Sequence, residues 1–445
     1  MKIYSTYSCK IKHYNHILKE TVAIYRSAVD YFIHVCMQHW DELQSISGSH
    51  EKRAFIEHMT HTTKANPDVM YDFDQLFYKF PSYLRRSAIT ETIGKVPSYH
   101  SNLKNWISMS WSERGDKPGL PTVGFVYPCM YRGNMYQKTG TYTARIKVWI
   151  NNTWDWIDIN LRKSDVDYIN QYCSNRKVCV PTLMKRGKQW YLDFPFEEQA
   201  SLVDTDIWEQ RVLAVDLGLN NSCVCSVMQT DGTILGRQFC KLPREYDSLQ
   251  HKLDHIKRAQ KHGSRKVPNL WRMANHVNDD IAVKTARFIV DTAVLYHVDV
   301  IIFEYLDLNG KKRGSRRQKL HLWRANGVQA MVTDKAHRLG MRISHVNAWN
   351  TSRLAFDGSG RVLRGSESTK IEDNNYSLCE FTTGKVYHCD LNATYNIGAR
   401  YFIRELLKTV PVTEQQYIAA KVPECAKRST CTLSTLISLN AVLCA

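Results

Sequence analysis

The sequence predicts a multidomain α+β chain: an α/β core in the second half, a small antiparallel β-barrel, and a helical block inserted into the barrel. Three observations point that way. At 445 residues the chain has room for about three domains of roughly 150 residues each. Short strands with two-residue alternation crowd into 123–198, and buried apolar strands interleaved with helical stripes follow from 211 onward. The balance of 43% hydrophobic and 23% charged residues supports packed cores and excludes global disorder.

Sixty Lys plus Arg against 43 Asp plus Glu leave a net charge of +17, which favours a polyanionic partner. Thirteen Cys, an odd number with no CxxC pair, argue against a secreted disulfide scaffold and against the commonest zinc knuckle. Residues 1–10 lack the apolar run of a signal peptide, and 433–445 are too short and too polar to span a bilayer. The expectation is a soluble, cytoplasmic protein with no membrane partner.

Taken in order, residues 3–11 alternate as one strand, able to complete the later barrel. Ile17, Ile24, Tyr31, Phe32 and Cys36 then recur at helical spacing. Similar periodicity between 72 and 106 is broken by Pro81 and Pro97. A run of Gly and Pro over 115–121 ends this block. Tyr142, Ala144, Ile146 and Val148 open an antiparallel set, with turns at Asn151-Asn152 and Lys185-Arg186-Gly187, which fits a barrel or a plain sandwich. From Arg211 a buried strand leads into Asp216 and Gly218, and two more strands meet at the Asp231-Gly232 turn. Residues 244–275 are basic with helical spacing, and Asp279-Asp280 cap a helix through Leu295. The strand 298–303 ends in Glu304. A stripe through Val328, Met331, Val332, Ala336 and Leu339 stops at Gly340, and 341–346 form a last strand. Three strands, a helix, a strand, a helix and a strand match an RNase H-like α/β core.

Within that core three acids sit where elements begin or end: Asp216, Glu304 and Asp390. Each alone reads as a turn, cap or edge residue. Glu304 is the least easily dismissed, because a carboxylate ending a buried strand is poorly solvated unless something cationic satisfies it. Phosphodiester hydrolysis needs an activated water and a stabilised leaving oxygen, and two Mg²⁺ ions about 4 Å apart supply both. Carboxylates distant in sequence converge on one point when they occupy neighbouring strand ends.

The segments Ala214-Val215-Asp216-Leu217-Gly218-Leu219-Asn220-Asn221, Ile301-Ile302-Phe303-Glu304-Tyr305-Leu306 and Asp390-Leu391-Asn392-Ala393-Thr394-Tyr395-Asn396-Ile397 resemble the three RuvC motifs of TnpB proteins. These are RNA-guided nucleases of insertion sequences, to which compact type V CRISPR effectors are related. Trp349-Asn350-Thr351-Ser352 resembles the linker that follows in the family. The resemblance is strong over 206–405 and architectural over 1–200. It implies the first strand of a wedge barrel over 1–11, a helical recognition domain over 12–115, the wedge over 116–205, and a RuvC domain over 206–350 and 386–410. A target-loading lid over 351–385 lies between the RuvC parts, and the tail 411–445 stays open between a packed helix and disorder. The implied activity is RNA-guided DNA cleavage in a single RuvC site. Asp216, Glu304 and Asp390 would hold two Mg²⁺ (Mn²⁺ as a substitute), and products would end in 5′-phosphate and 3′-hydroxyl. The implied partners are a guide RNA and double-stranded target DNA cut as single strands, with the protein a monomer or a homodimer on one guide. A guided repressor that no longer cuts, and an RNase H-like transposase or resolvase acting without RNA, are the alternatives.

The family's four-Cys zinc site is broken here. Ala355 and Gly358 replace the first pair and Thr382 replaces the partner of Cys379. A structural Zn²⁺ is therefore not expected, a site of Cys379, Cys389, His388 and Asp357 being the alternative. Two basic stretches are candidate phosphate contacts. One is Lys311, Lys312, Arg313, Arg316, Arg317 and Lys319. The other is Lys252, Lys257, Arg258, Lys261, Arg265 and Lys266 on one helix.

Overall fold

The computed structural model describes residues 1–13, 16–111, 114–218, 221–264, 266–305, 316–371, 375–427 and 429–444, without the side chains of 316–323 and 412. The chain divides into two compact units, residues 2–198 and residues 199–445 with Met1. No helix among the described residues is long and apolar enough to cross a membrane.

The first unit combines a curled sheet with helices. Its strands are β1 (Lys2–Lys12), β2 (Tyr136–Lys138), β3 (Thr143–Ile150), β4 (Thr153–Leu161), β5 (Lys177–Val178), β6 (Thr182–Arg186) and β7 (Gln189–Gln199). They order as β2-β3-β4-β1-β7-β5, with β6 also on β7. The sheet is a half-barrel, not the closed barrel expected, because this path runs from β2 to β5 and the two ends do not pair. Asn151 and Asn152, with φ of 50° and 57°, make the tight turn between β3 and β4.

Between β1 and β2 run α1 (His16–Gln38), α2 (Trp40–Ser45), α3 (Ser49–Thr60), α4 (Phe73–Leu76) and α5 (Ser82–Ser108), and α6 (Lys163–Tyr172) follows β4. The buried face of α1 is Leu18, Val22, Tyr25, Val29, Phe32 and Cys36, while Ile17, Ile24 and Tyr31 lie at its margin. That face and the inward residues Ala144, Ile146 and Val148 of β3 share one apolar core. Pro81 is the N-cap of α5, but Pro97 lies inside this helix without ending it. The packing of α5 on α1 and α3 outweighs the loss of one backbone donor.

The second unit is built on a five-stranded sheet ordered β10-β9-β8-β11-β12: β8 (Arg211–Asp216), β9 (Cys223–Gln229), β10 (Ile234–Cys240), β11 (Val300–Glu304) and β12 (Arg342–Val346). β8, β9 and β10 are antiparallel, whereas β8, β11 and β12 are parallel. The helices are α7 (Pro243–Lys261), α8 (Pro268–Leu295), α9 (Arg316–Arg338), α10 (Cys389–Thr409), α11 (Val412–Lys421) and α12 (Leu433–Leu443). Asp279-Asp280 do not start a helix. They lie within α8, which opens with Pro268 at its first position, a place that needs no backbone donor. Gly340, at φ 83°, follows α9 as expected.

Both sheet faces are covered, which explains the continuous apolar runs. Leu213, Val215, Ile301 and Phe303 pack against α8 and α9. Val212, Ala214, Val300 and Ile302 pack on the opposite face against α10 and α12. Between β12 and α10 lies a small antiparallel sheet of β13 (Leu363–Arg364), β14 (Leu378–Glu380) and β15 (Val386–His388).

Candidate active site

Strand alternation aims the first two acids at the same face. Side chains two apart on a strand share a side, so Asp216 follows Val212 and Ala214, and Glu304 follows Val300 and Ile302, toward α10. β8 and β11 pair in parallel with Val215 opposite Phe303, so the next residues, Asp216 and Glu304, end adjacent strands together. Asp390 arrives on the first turn of α10, which is drawn close to β8 and β9 at Gly398. A Cβ at that glycine would stand 3.0 Å from the Met228 sulfur and 3.6 Å from the Ala214 Cβ.

The electrostatics record the convergence. Burial first, then the charges of Glu304 and Asp390, push the Asp216 carboxyl well above the usual carboxylate range. The guanidinium of Arg364 on β13 opposes that rise. Its Nε is buried and finds no hydrogen-bond partner among the described residues. Burial also raises Glu304, against a hydrogen bond from the Thr351 hydroxyl and the charge of Arg400. Asn221 donates to Asp390 Oδ2 at 3.4 Å.

α10 also fastens the segment that holds Thr351. Asn392 and Asn396 are fully buried, one helical turn apart. Asn392 accepts from the Phe356 N–H and donates to the Leu354 carbonyl, both at 2.8 Å. Asn396 donates to the carbonyls of Thr351 and Leu354 at 2.9 Å. Arg400, 5% exposed, donates to four backbone carbonyls, those of Asn347, Trp349, Ser429 and Cys431. One helix thus carries Asp390 and, through its buried amides, sets the partner of Glu304.

A buried carboxyl at Asp216 that feels the charges of both Glu304 and Asp390 fits a divalent cation site. Mg²⁺ uses one or two carboxylates and completes its shell with water. Among the described residues no group of three or more His, Cys, Asp and Glu already stands set as a ligand cage.

Where the family's zinc ligands would be, Ala355, Val362, Cys379, Phe381 and Cys389 form a small apolar cluster. The Cys379 thiol donates to the Tyr387 carbonyl at 3.5 Å. His388 instead caps α10, its Nδ1 accepting from the Asp390 N–H at 3.2 Å. Phe356, Tyr387 and Tyr395 pack edge to face beside that cluster and tie the small sheet to α10.

The basic stretches divide differently. Lys257, Arg258 and Lys261 are exposed on the last turns of α7. Lys266 lies beyond α7, which ends before Gly263 at φ 86°, so the expected single helix does not exist. Lys311, Lys312, Arg313 and Arg265 fall outside the described residues. Arg316, Arg317 and Lys319 fall on the start of α9, where side chains are not described.

Sequence reasoning gave no role to Arg364, Arg400, Asn392 or Asn396. Arg364 stands in a loop-rich stretch with no pattern around it. The two amides left a signal: polar residues four apart on a helix otherwise apolar enough to be buried.

Residues 5–150 match the model of the Aq_aa04 family. The chain is 25% identical over 238 residues to "TnpB-like protein aq_aa05" of Aquifex aeolicus, covering 48% of this chain and 74% of that protein. It is 36% identical over 76 residues to "Uncharacterized protein aq_aa04" of the same organism, covering 17% of this chain and 42% of that one. Among solved structures, a Cas12f1–sgRNA–target DNA complex aligns with a TM-score of 0.47 at 13% identity, over 89% of this chain and 98% of that one. C2c1 of Alicyclobacillus acidoterrestris with single-guide RNA aligns at 0.43 and 12%, over 86% and 69%.

Proposed function

We propose that this protein is an RNA-guided, Mg²⁺-dependent DNA endonuclease. The observation that supports it is the meeting of Asp216, Glu304 and Asp390 on one sheet face, in a chain homologous to a TnpB-like protein. In this reading the five-stranded unit is an RNase H-like RuvC domain. The half-barrel is a wedge, the inserted helices are a recognition domain, and β13 to β15 form a target-loading lid. The helical and wedge parts hold the guide RNA and read a short duplex motif, after which base pairing selects the target.

Divalent ions, when bound, supply charge neutralisation and an activated water for attack on phosphorus. The chain's own residues do the rest. Asp216, Glu304 and Asp390 present the carboxylate oxygens. Thr351 orients Glu304, and Asn221 orients Asp390. Arg364 brings a positive charge to the same place, suited to an incoming phosphate. The basic end of α7 meets backbone phosphates without reading bases.

The test is reconstitution with the RNA that co-purifies with the full-length protein. The wild type should cut a guide-matched DNA in Mg²⁺. Asp216→Ala should lose at least a hundredfold in cutting rate, an order of magnitude typical of losing transition-state charge stabilisation, and should keep guided binding. Normal cleavage by that variant would overturn the site, binding without cleavage by the wild type would favour a repressor, and the absence of any discrete RNA would favour a transposase or resolvase.

A further inference from the structure

Trp349 is 70% exposed and Tyr305 is 67% exposed. Tyr305 directly follows Glu304, and its N–H donates to the Val346 carbonyl at 2.8 Å, so it extends the β11–β12 ladder to the rim. Trp349 stands two residues before Thr351, whose hydroxyl is on Glu304. At 3.8 Å per residue step, its Cα lies within about 8 Å of that of Thr351.

An exposed aromatic residue alone carries nothing, since scattered surface apolar groups are ordinary. What sets Trp349 apart is its pedestal. Its N–H donates to the Asn347 side-chain oxygen at 2.8 Å, and its carbonyl accepts from the buried Arg400, also at 2.8 Å. Asn350, next in the chain, turns the backbone at φ 64°, in the left-handed region that asparagine enters more readily than other non-glycine residues. The Thr351 hydroxyl also bonds the Ala348 carbonyl at 3.0 Å. Backbone on both sides of a solvent-facing indole is therefore fixed, while the ring makes no aromatic or cation contact among the described residues. A large flat surface held rigid beside a phosphate-cutting centre matches the stacking platforms that bind single-stranded nucleic acid through base faces, whatever the sequence.

We infer that Trp349, with Tyr305 next to Glu304, is a base-stacking platform that positions single-stranded DNA so that its backbone phosphate reaches the acids. This rests on the nuclease reading and adds positioning residues to the same site. Stacking orders the nucleotide beside the scissile phosphate, and its gain is sequence-independent, as a guided enzyme requires.

The experiment measures anisotropy of a labelled twelve-nucleotide oligothymidylate, and of the same oligonucleotide with abasic positions, against the full-length protein. Trp349→Ala should weaken binding of the base-bearing strand about tenfold, the order expected for losing one stacked base. Trp349→Phe should recover most of that. The abasic strand should bind wild type as weakly as Trp349→Ala binds the intact strand, with no further loss when both changes combine. Equal losses on base-bearing and abasic DNA, or no loss at all, would overturn the proposal. Binding needs no cutting, so a wild type that stacks bases in this assay but, loaded with its co-purifying RNA, leaves guide-matched DNA intact in Mg²⁺ would refute the nuclease reading alone.

Discussion

In the proposed nuclease, Asp216 is the residue at which stability and function pull against each other. Its carboxyl is raised by burial and by two neighbouring acids, with Arg364 compensating in part. An acid whose pKa rises on folding opposes folding once it is ionised. That cost disappears as pH falls through the raised folded value toward the unfolded value of about 3.9, and it is fully present above the folded value. Asp216→Asn removes the charge while keeping the shape, so it should stabilise the metal-free protein. For a unit of this size, each kcal/mol relieved corresponds to a rise in Tm of roughly 2–4 °C. Adding Mg²⁺ should then raise the Tm of the wild type more than that of the variant. Thermal melts in EDTA and in Mg²⁺ check both arms, and a variant melting below wild type in EDTA would contradict the account.

At the scale of elements, α10 determines how close Asp390 comes to the strand-borne acids, and Gly398 determines how close α10 comes to the sheet. Gly398→Val should push the helix outward and destabilise the protein by about 1–3 kcal/mol, the usual cost of overpacking. Cleavage should fall further than that stability change explains, because Asp390 moves with the helix. Gly398→Ala is the matched control: it gains about 1 kcal/mol of helix propensity, and its one tight contact is the flexible end of Met228, the Ala214 Cβ lying at an ordinary 3.6 Å, so it should be near neutral. Equal cleavage by Gly398→Val and wild type at a temperature where both are folded would show that α10 does not set the site. These same elements show what was legible beforehand. Buried strands such as β8 and β11 announce themselves, because both faces need apolar residues. The acids at their ends stood out for the same reason. Helix limits were misread wherever tertiary contacts overrode a local rule, as at Pro97 inside α5 and at Asp279-Asp280 inside α8. Arg364 was invisible, since its meaning comes only from the acid it faces across the fold.

At the scale of the whole molecule, the second unit depends on its last helix. The sequence left 411–445 open between order and disorder, since an apolar run of that length is equally consistent with a loose tail. In the structure α12 buries Leu433, Leu436 and Leu439 against α10 and the β9–β10 hairpin. Asn440 also donates to the Thr230 carbonyl at 2.8 Å, beside that hairpin's turn. Each such leucine contributes about 1.5–3 kcal/mol on burial. Three of them are comparable with the roughly 5–15 kcal/mol that stabilises a typical domain. Ending the chain at 410 should therefore leave the second unit insoluble, and a point change gives the sharper test. Leu436→Asp puts an unpaired charge where the side chain is 0% exposed, which should unfold the unit or lower its Tm by well over 10 °C. Ala441→Asp, on the exposed side of the same helix, should change it little. If both variants melt like wild type, α12 is an appendage, and the site's stability must come from the sheet and α10 alone.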